Sequence, residues 1–372
     1  MFKINQTQPW IDSKEADYIK NVVKKTFLTE NKETKKFELK VKNFCKSKYA
    51  ISISNWTAGL FACLKVLNIK KGDEVIVPDL TFIATINSVL MTGATPVLCD
   101  VDKENFNIDI NKIKKLINNK TRAIIPVHLY GHSCQMDVLN KICKKKKIFL
   151  VEDAAQALGA TFKKKKLGNI GDMGGFSFYG NKIITTGEGG IILANKKKYR
   201  DQIYQLKNHG RKKKGTFKHE KIGYNFMFTE MQAAIGNIQM NKLNKILKKK
   251  KFIFDYYKKN LSGSNNIEFM KPIKDNKPVY WFSNIIVKNK KKLKDYLKKY
   301  KIETRDIFYP IHKQPCYKNT NLIKNLDNSF PVSEKIYDQG LSLPSGYQLK
   351  LSELNYIISM IKKFYGSKKN RN

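Results

Sequence analysis

The chain has 372 residues, with 72 Lys and Arg against 31 Asp and Glu, a formal charge of +41. At 41% hydrophobic and 11% aromatic it has the apolar content for a large core plus a second domain, which excludes a disordered chain. No stretch reaches membrane-helix length, residues 1–10 lack the apolar core of a secretion signal, and the six cysteines have no C-x-x-C or zinc spacing, so we expect a cytoplasmic enzyme with free thiols and no metal.

Taken in chain order, a helix is expected near 12–25, then a charged linker, then a helix starting near Thr34. Strands at 50–54, 74–77 and 96–99 alternate with helices at 57–67 and 84–92. Further buried strands are read at 123–127, 148–151, 174–177 and 190–194, followed by a long helix over 229–258. Apolar runs separated by helices predict an α/β fold built on a mostly parallel sheet. A strand at 281–287, a helix at 291–300 and a terminal helix at 351–364 predict a smaller C-terminal α/β domain, with the division placed at 1–245 and 246–372.

The lysines fall in scattered runs at 144–147, 163–166, 196–198, 212–214, 248–251 and 290–292. Such runs read as solvated loops and helix faces. Steering of an anionic substrate and outright nucleic-acid binding are the rival readings of the same charge.

Lys182 differs from the other lysines. It lies in Gly174-Gly175-Phe176-Ser177-Phe178-Tyr179-Gly180-Asn181-Lys182-Ile183-Ile184-Thr185-Thr186-Gly187-Glu188-Gly189-Gly190, between an apolar strand and a glycine-rich turn. Apolar neighbours would desolvate its ammonium and lower its pKa, as a Schiff-base lysine requires. The strand 148–151 leads to Asp153, which would emerge at the carboxyl edge of the sheet, where ligands bind in open α/β folds. A lysine and a carboxylate there suit pyridoxal phosphate (PLP): the lysine holds the aldehyde and shuttles protons, while the carboxylate keeps the ring nitrogen protonated. Taken singly, Lys182 would be a surface lysine, Asp153 a helix cap, Phe82 core packing, His128 and His312 structural histidines, and Glu188 part of a strained turn.

The segments Ser54-Asn55-Trp56-Thr57-Ala58, Pro78-Asp79-Leu80-Thr81-Phe82, His128-Leu129-Tyr130-Gly131, the Asp153 and Lys182 segments, Gly223-Tyr224-Asn225-Phe226 and Tyr309-Pro310-Ile311-His312-Lys313-Gln314-Pro315 run in one order over nearly the whole chain. Together they resemble the DegT/DnrJ/EryC1/StrS family of PLP-dependent sugar aminotransferases. The resemblance implies a fold-type I PLP enzyme that works as a homodimer with a site between subunits. Lys182 would carry the cofactor and Asp153 would pair with its ring nitrogen. Gln156, one helical turn later, would bind the ring hydroxyl, and Phe82 would stack on the ring. Ser177 and the backbone N–H groups of Thr57 and Ala58 would hold the phosphate, with Asn225 reaching it from the neighbouring subunit. His312 and Arg305 would face the substrate. Trp56 stands where the family often has a small residue, and is read as a change of substrate contact.

The implied reaction moves the amino group of L-glutamate to a 4-keto-6-deoxy sugar on a nucleotide diphosphate, GDP by the wording of 177–182. Amination at C3 and a dTDP or UDP carrier remain alternatives. A PLP-dependent sugar dehydratase is a further one, although such family members carry histidine in place of the lysine. A noncatalytic nucleic-acid-binding protein is the most distant.

Overall fold

The computed structural model describes residues 2–213 and 215–367; Lys214, the end of one lysine run, lies outside the described residues. The N-terminal half alternates helix and strand as expected. Helices α1 (Ser13–Val23) and α2 (Lys32–Cys45) lead to strand β1 (Tyr49–Ile53), then α3 (Trp56–Val66), β2 (Glu74–Pro78), α4 (Ala84–Leu90), β3 (Thr95–Cys99), α5 (Ile110–Leu116) and β4 (Thr121–Ile124). Helix α6 (Met136–Lys146), β5 (Phe149–Asp153), a small hairpin of β6 (Thr161–Phe162) and β7 (Lys165–Lys166), β8 (Met173–Ser177), β9 (Gly190–Ala194), α7 (Lys197–Lys207) and the 32-residue α8 (Glu230–Leu261) follow. The C-terminal part comprises β10 (Ile267–Phe269), β11 (Asn276–Lys277), β12 (Ser283–Val287), α9 (Lys290–Lys299), β13 (Arg305–Asp306), α10 (Pro331–Gln339), β14 (Gly340–Leu343) and α11 (Leu351–Gly366).

Capping explains several boundaries. Asp12 and Glu15 form a reciprocal capping box that starts α1, and Thr229 with Gln232 does the same for α8. Strands β2 and β9 are buried along their whole length, which is why they read as unbroken apolar runs.

The main sheet has seven strands in the order β1-β9-β8-β5-β4-β2-β3. Only β9 runs against its neighbours; the other six share one direction. The carboxyl ends of β1, β2, β5 and β8 therefore lie along one edge, and the loops that leave them carry the residues singled out from sequence. The smaller sheet, β10-β12-β14-β13, is antiparallel; α8 and α10 contact its strands, and α9 and α11 share its apolar core.

Three features stand apart from the sequence reading. The division at 245/246 falls inside α8, whose Ile253, Tyr257 and Leu261 join the smaller core, as does Ile4 from the N-terminus through a bridge to Ile302. Residues 154–159 form turns, not a helix: Ala154 N–H donates to Gly175 O and Gln156 Oε1 accepts from Tyr130 N–H, so tertiary bonds override a helix-prone run. Helices α5, α6, α7 and α10 were not anticipated. Among the described residues no helix is long and apolar enough to cross a membrane. Five cysteines are buried free thiols, and Cys316 is exposed.

Candidate active site

A cleft of about 840 Å³ opens over the carboxyl edge of the main sheet, between it and the smaller domain. Its lining includes Trp56, Thr57, Ala58, Phe82, Asp153, Gln156, Ser177, Lys182 and Arg305, nine residues expected at the site from sequence. Trp281 and Phe308 close it from the C-terminal part of the chain.

Lys182 follows β8 in the turn over residues 179–182, where its N–H donates to Tyr179 O. Its Nζ lies 4.0 Å from the centre of the Trp281 ring. Burial pulls its pKa down to about 8; the Asp153 carboxylate works against that pull and Arg305 adds to it. Trp281 is fixed at both ends, since its Nε1 donates to Asn181 O at 2.7 Å and its carbonyl accepts from the buried Lys250 Nζ at 2.9 Å. Nothing in the local sequence pairs Trp281 with Lys182, a hundred residues away; the rarity of tryptophan, three in the chain, was the available signal.

Asp153 ends β5. Its Oδ1 accepts from Trp56 Nε1 at 2.8 Å and Ala155 N at 3.2 Å, and its Oδ2 accepts from Thr85 Oγ1 at 2.7 Å. Trp56 is thus a partner of the aspartate as well as part of the cleft lining. Gln156 uses its carbonyl oxygen on Tyr130 N–H at 2.6 Å. Phe82 remains 55% exposed on the cleft wall, with its ring tilted 5.9 Å from that of Phe308, so a flat ligand can reach its face.

The start of α3 also departs from expectation. Asn55 is the N-cap, and its side chain accepts from Ala58 N–H at 2.9 Å, so that donor is already engaged within the chain. Ser177 Oγ accepts from Tyr179 N–H at 3.3 Å. The glycine-rich turn behaves as composition suggests: Gly187 and Gly189 have φ of +82° and +151°, and a Cβ on Gly189 would lie 2.4 Å from Thr186 Oγ1.

His312 does not line the cleft. Its Nδ1 faces Asp79 Oδ2 at 2.8 Å, its Nε2 faces Glu334 Oε1 at 3.2 Å, and its backbone N–H donates to Asp79 Oδ1. It clamps the segment after β13 to the loop that carries Phe82, instead of facing the substrate. His128 is a structural histidine: its Nε2 meets Glu152 in a fully buried pair. Asn225 is exposed, pairs with Asn208 in a β-bridge and lies outside this subunit's cleft. Arg305 lines the cleft with its guanidinium 5.6 Å from the Phe282 ring centre.

The donor set fits PLP. A desolvated amine, a carboxylate held by three donors, an exposed aromatic face, a serine hydroxyl and the N-terminus of the 11-residue α3 border one cleft. A match to the DegT/DnrJ/EryC1/StrS aminotransferase family spans residues 9–362. The chain belongs to this family. It is 36% identical over 365 residues to the GDP-perosamine synthase of Escherichia coli O157:H7, covering 97% of this chain and 98% of that one. It is 35% identical over 338 residues to the dTDP-3-amino-3,6-dideoxy-alpha-D-galactopyranose transaminase of Aneurinibacillus thermoaerophilus, covering 89% and 90%. A PLP-form structure from Streptococcus pneumoniae superposes with a TM-score of 0.90 at 26% identity, covering 97% of this chain and 98% of the other. This aminotransferase is therefore PLP-dependent and acts on a sugar.

Proposed function

We propose that this aminotransferase transfers the amino group of L-glutamate to C4 of a GDP-linked 4-keto-6-deoxy sugar, giving a 4-amino-4,6-dideoxy sugar for a surface polysaccharide or glycan such as an O-antigen. Its setting would be a cytoplasmic homodimer, with residues 1–245 contributing most of the cofactor cradle and the rest closing it. The observation that carries the reading is the half-buried Lys182 amine sharing one cleft with Asp153. The GDP carrier and C4 position are supported by the likeness to the GDP-perosamine synthase.

When bound, PLP supplies an aldehyde and an electron-withdrawing ring. Lys182, with its pKa lowered to about 8, holds a sizeable neutral fraction near neutral pH and moves the proton at Cα of the amino donor. Asp153 pairs with the ring nitrogen, and the amide nitrogen of Gln156 donates to the ring hydroxyl. Phe82 supports the ring face. Ser177 and Thr57 N–H hold the phosphate, joined by Asn225 of the partner subunit. Arg305 meets the sugar-nucleotide phosphates, and Trp281 excludes water from the amine.

The test offers purified enzyme, PLP and L-glutamate to GDP- and dTDP-linked 4-keto-6-deoxy sugars and locates the amino group in the product by NMR. A C4 amine from the GDP sugar is expected. Turnover of the dTDP 4-keto sugar alone would change the carrier, and turnover of neither 4-keto sugar but of a dTDP-linked 3-keto-6-deoxy sugar, to a C3 amine, would move the enzyme to the 3-aminotransferase branch represented by the Aneurinibacillus relative.

A further inference from the structure

We infer that Trp56 is a positioning residue that, with Thr85 and the Ala155 N–H, leaves Asp153 a single vacant acceptor position, on Oδ2, and so restricts this carboxylate to one N–H partner, the cofactor's ring nitrogen. The inference rests on the role of Asp153 proposed above.

The argument is a count of lone pairs. An ionised carboxylate offers about four acceptor sites, two on each oxygen. On Oδ1 both are taken, by Trp56 Nε1 at 2.8 Å and Ala155 N at 3.2 Å; on Oδ2 one is taken, by Thr85 Oγ1 at 2.7 Å. Among the described residues no other donor reaches the carboxylate, so one site is left for the cleft. Asp153 and Trp56 are both about 95% buried, so water does not compete freely for these bonds.

The indole is held by design of the backbone around it. Trp56 is the first residue of α3, and its ring lies over Gly59 one turn later and over Gly175 of β8, the strand paired with β5 beside Asp153. A Cβ on Gly59 would lie 2.5 Å from Trp56 Cε3, and one on Gly175 would lie 2.4 Å from Cζ3. Two glycines thus make the space in which a residue as large as tryptophan can reach the aspartate. A smaller residue at position 56 would leave Oδ1 one donor short and the carboxylate free to rotate.

Trp56→Phe keeps a ring in that space and removes the N–H. The experiment measures the affinity of the apoprotein for PLP and for its 1-deaza analogue, in which a C–H replaces the ring nitrogen. Wild type is expected to prefer PLP, and the preference should shrink by about tenfold in Trp56→Phe, the order of one hydrogen bond to a charged group. A variant that weakens both ligands equally, or neither, overturns the inference. A wild type that fails to discriminate between the two overturns the role of Asp153 itself. Thr85→Val applies the same measurement from the Oδ2 side should Trp56→Phe not fold, with the same two readings.

Discussion

Lys182 Nζ rests 4.0 Å from the centre of the Trp281 ring, in a site whose burial lowers its pKa to about 8. A ring face favours the charged amine by about 0.5–2 kcal/mol, and the desolvation that lowers the pKa acts against it. Burying the charged lysine therefore costs folding about 3 kcal/mol while it is charged in both states. That cost is fully present below pH 8 and fades as pH rises toward 10.5, because there the unfolded chain binds the extra proton. Lys182→Met should stabilise the apoprotein at pH 7, and the gain should vanish above pH 10. Thermal melts of both proteins across this range check it.

Gly59→Ala should destabilise, although alanine is the better helix former by about 1 kcal/mol. The added methyl would lie 2.5 Å from Trp56 Cε3. Overpacking of this kind costs about 1–3 kcal/mol. Urea unfolding measures the difference, and a stabilised variant would mean that the indole can retreat without loss.

His312 provides a pH-dependent clamp. Burial pulls its pKa down, but hydrogen bonds to Asp79 and Glu334 outweigh that pull and raise it above the ordinary 6.5. A raised histidine pKa contributes stability below 6.5 that is lost as pH climbs through the folded value. The melting-temperature gap between wild type and His312→Phe should therefore be largest near pH 5 and shrink toward pH 9. The KM for the sugar should respond less to this change than to Arg305→Gln, since only Arg305 lines the cleft.

The homodimer proposed above, with its site shared between subunits, predicts complementation. Lys182→Ala and Asn225→Ala should each be impaired alone. Re-associated in equal amounts, they should recover about a quarter of wild-type activity, because half the dimers are mixed and each mixed dimer holds one intact site. Steady-state assays after mixing check this, and no recovery would place Asn225 outside the partner's site.

The strands of the main sheet were legible because both of their faces are buried, and β9, the one that runs against its neighbours, was read to the residue. The carboxyl-edge geometry that follows from them pointed to Asp153, whereas Lys182 stood out by its apolar neighbours and Ser177 came from the family resemblance. Helices α6 and α7 were obscured by lysines: Leu139 and Cys143, and Tyr199 and Ile203, are buried at helical spacing, but the runs at 144–147 and 196–198 read as loop. Contacts that join distant segments were not legible. The bond from Trp56 to Asp153 spans 97 positions and depends on how α3 packs on the end of β5, while the clamp from His312 to Asp79 spans 233 and depends on how the sheet edge meets the C-terminal part of the chain.

The most direct test is the visible spectrum of the protein with PLP, before and after L-glutamate, beside Lys182→Ala. The account predicts that wild type shows the yellow absorption of lysine-bound PLP, that glutamate shifts it to the shorter-wavelength amine form, and that the variant shows neither the lysine-bound band nor turnover. A wild type without the yellow band, or a variant that still forms it, would contradict the placement of Lys182 at the centre of the site.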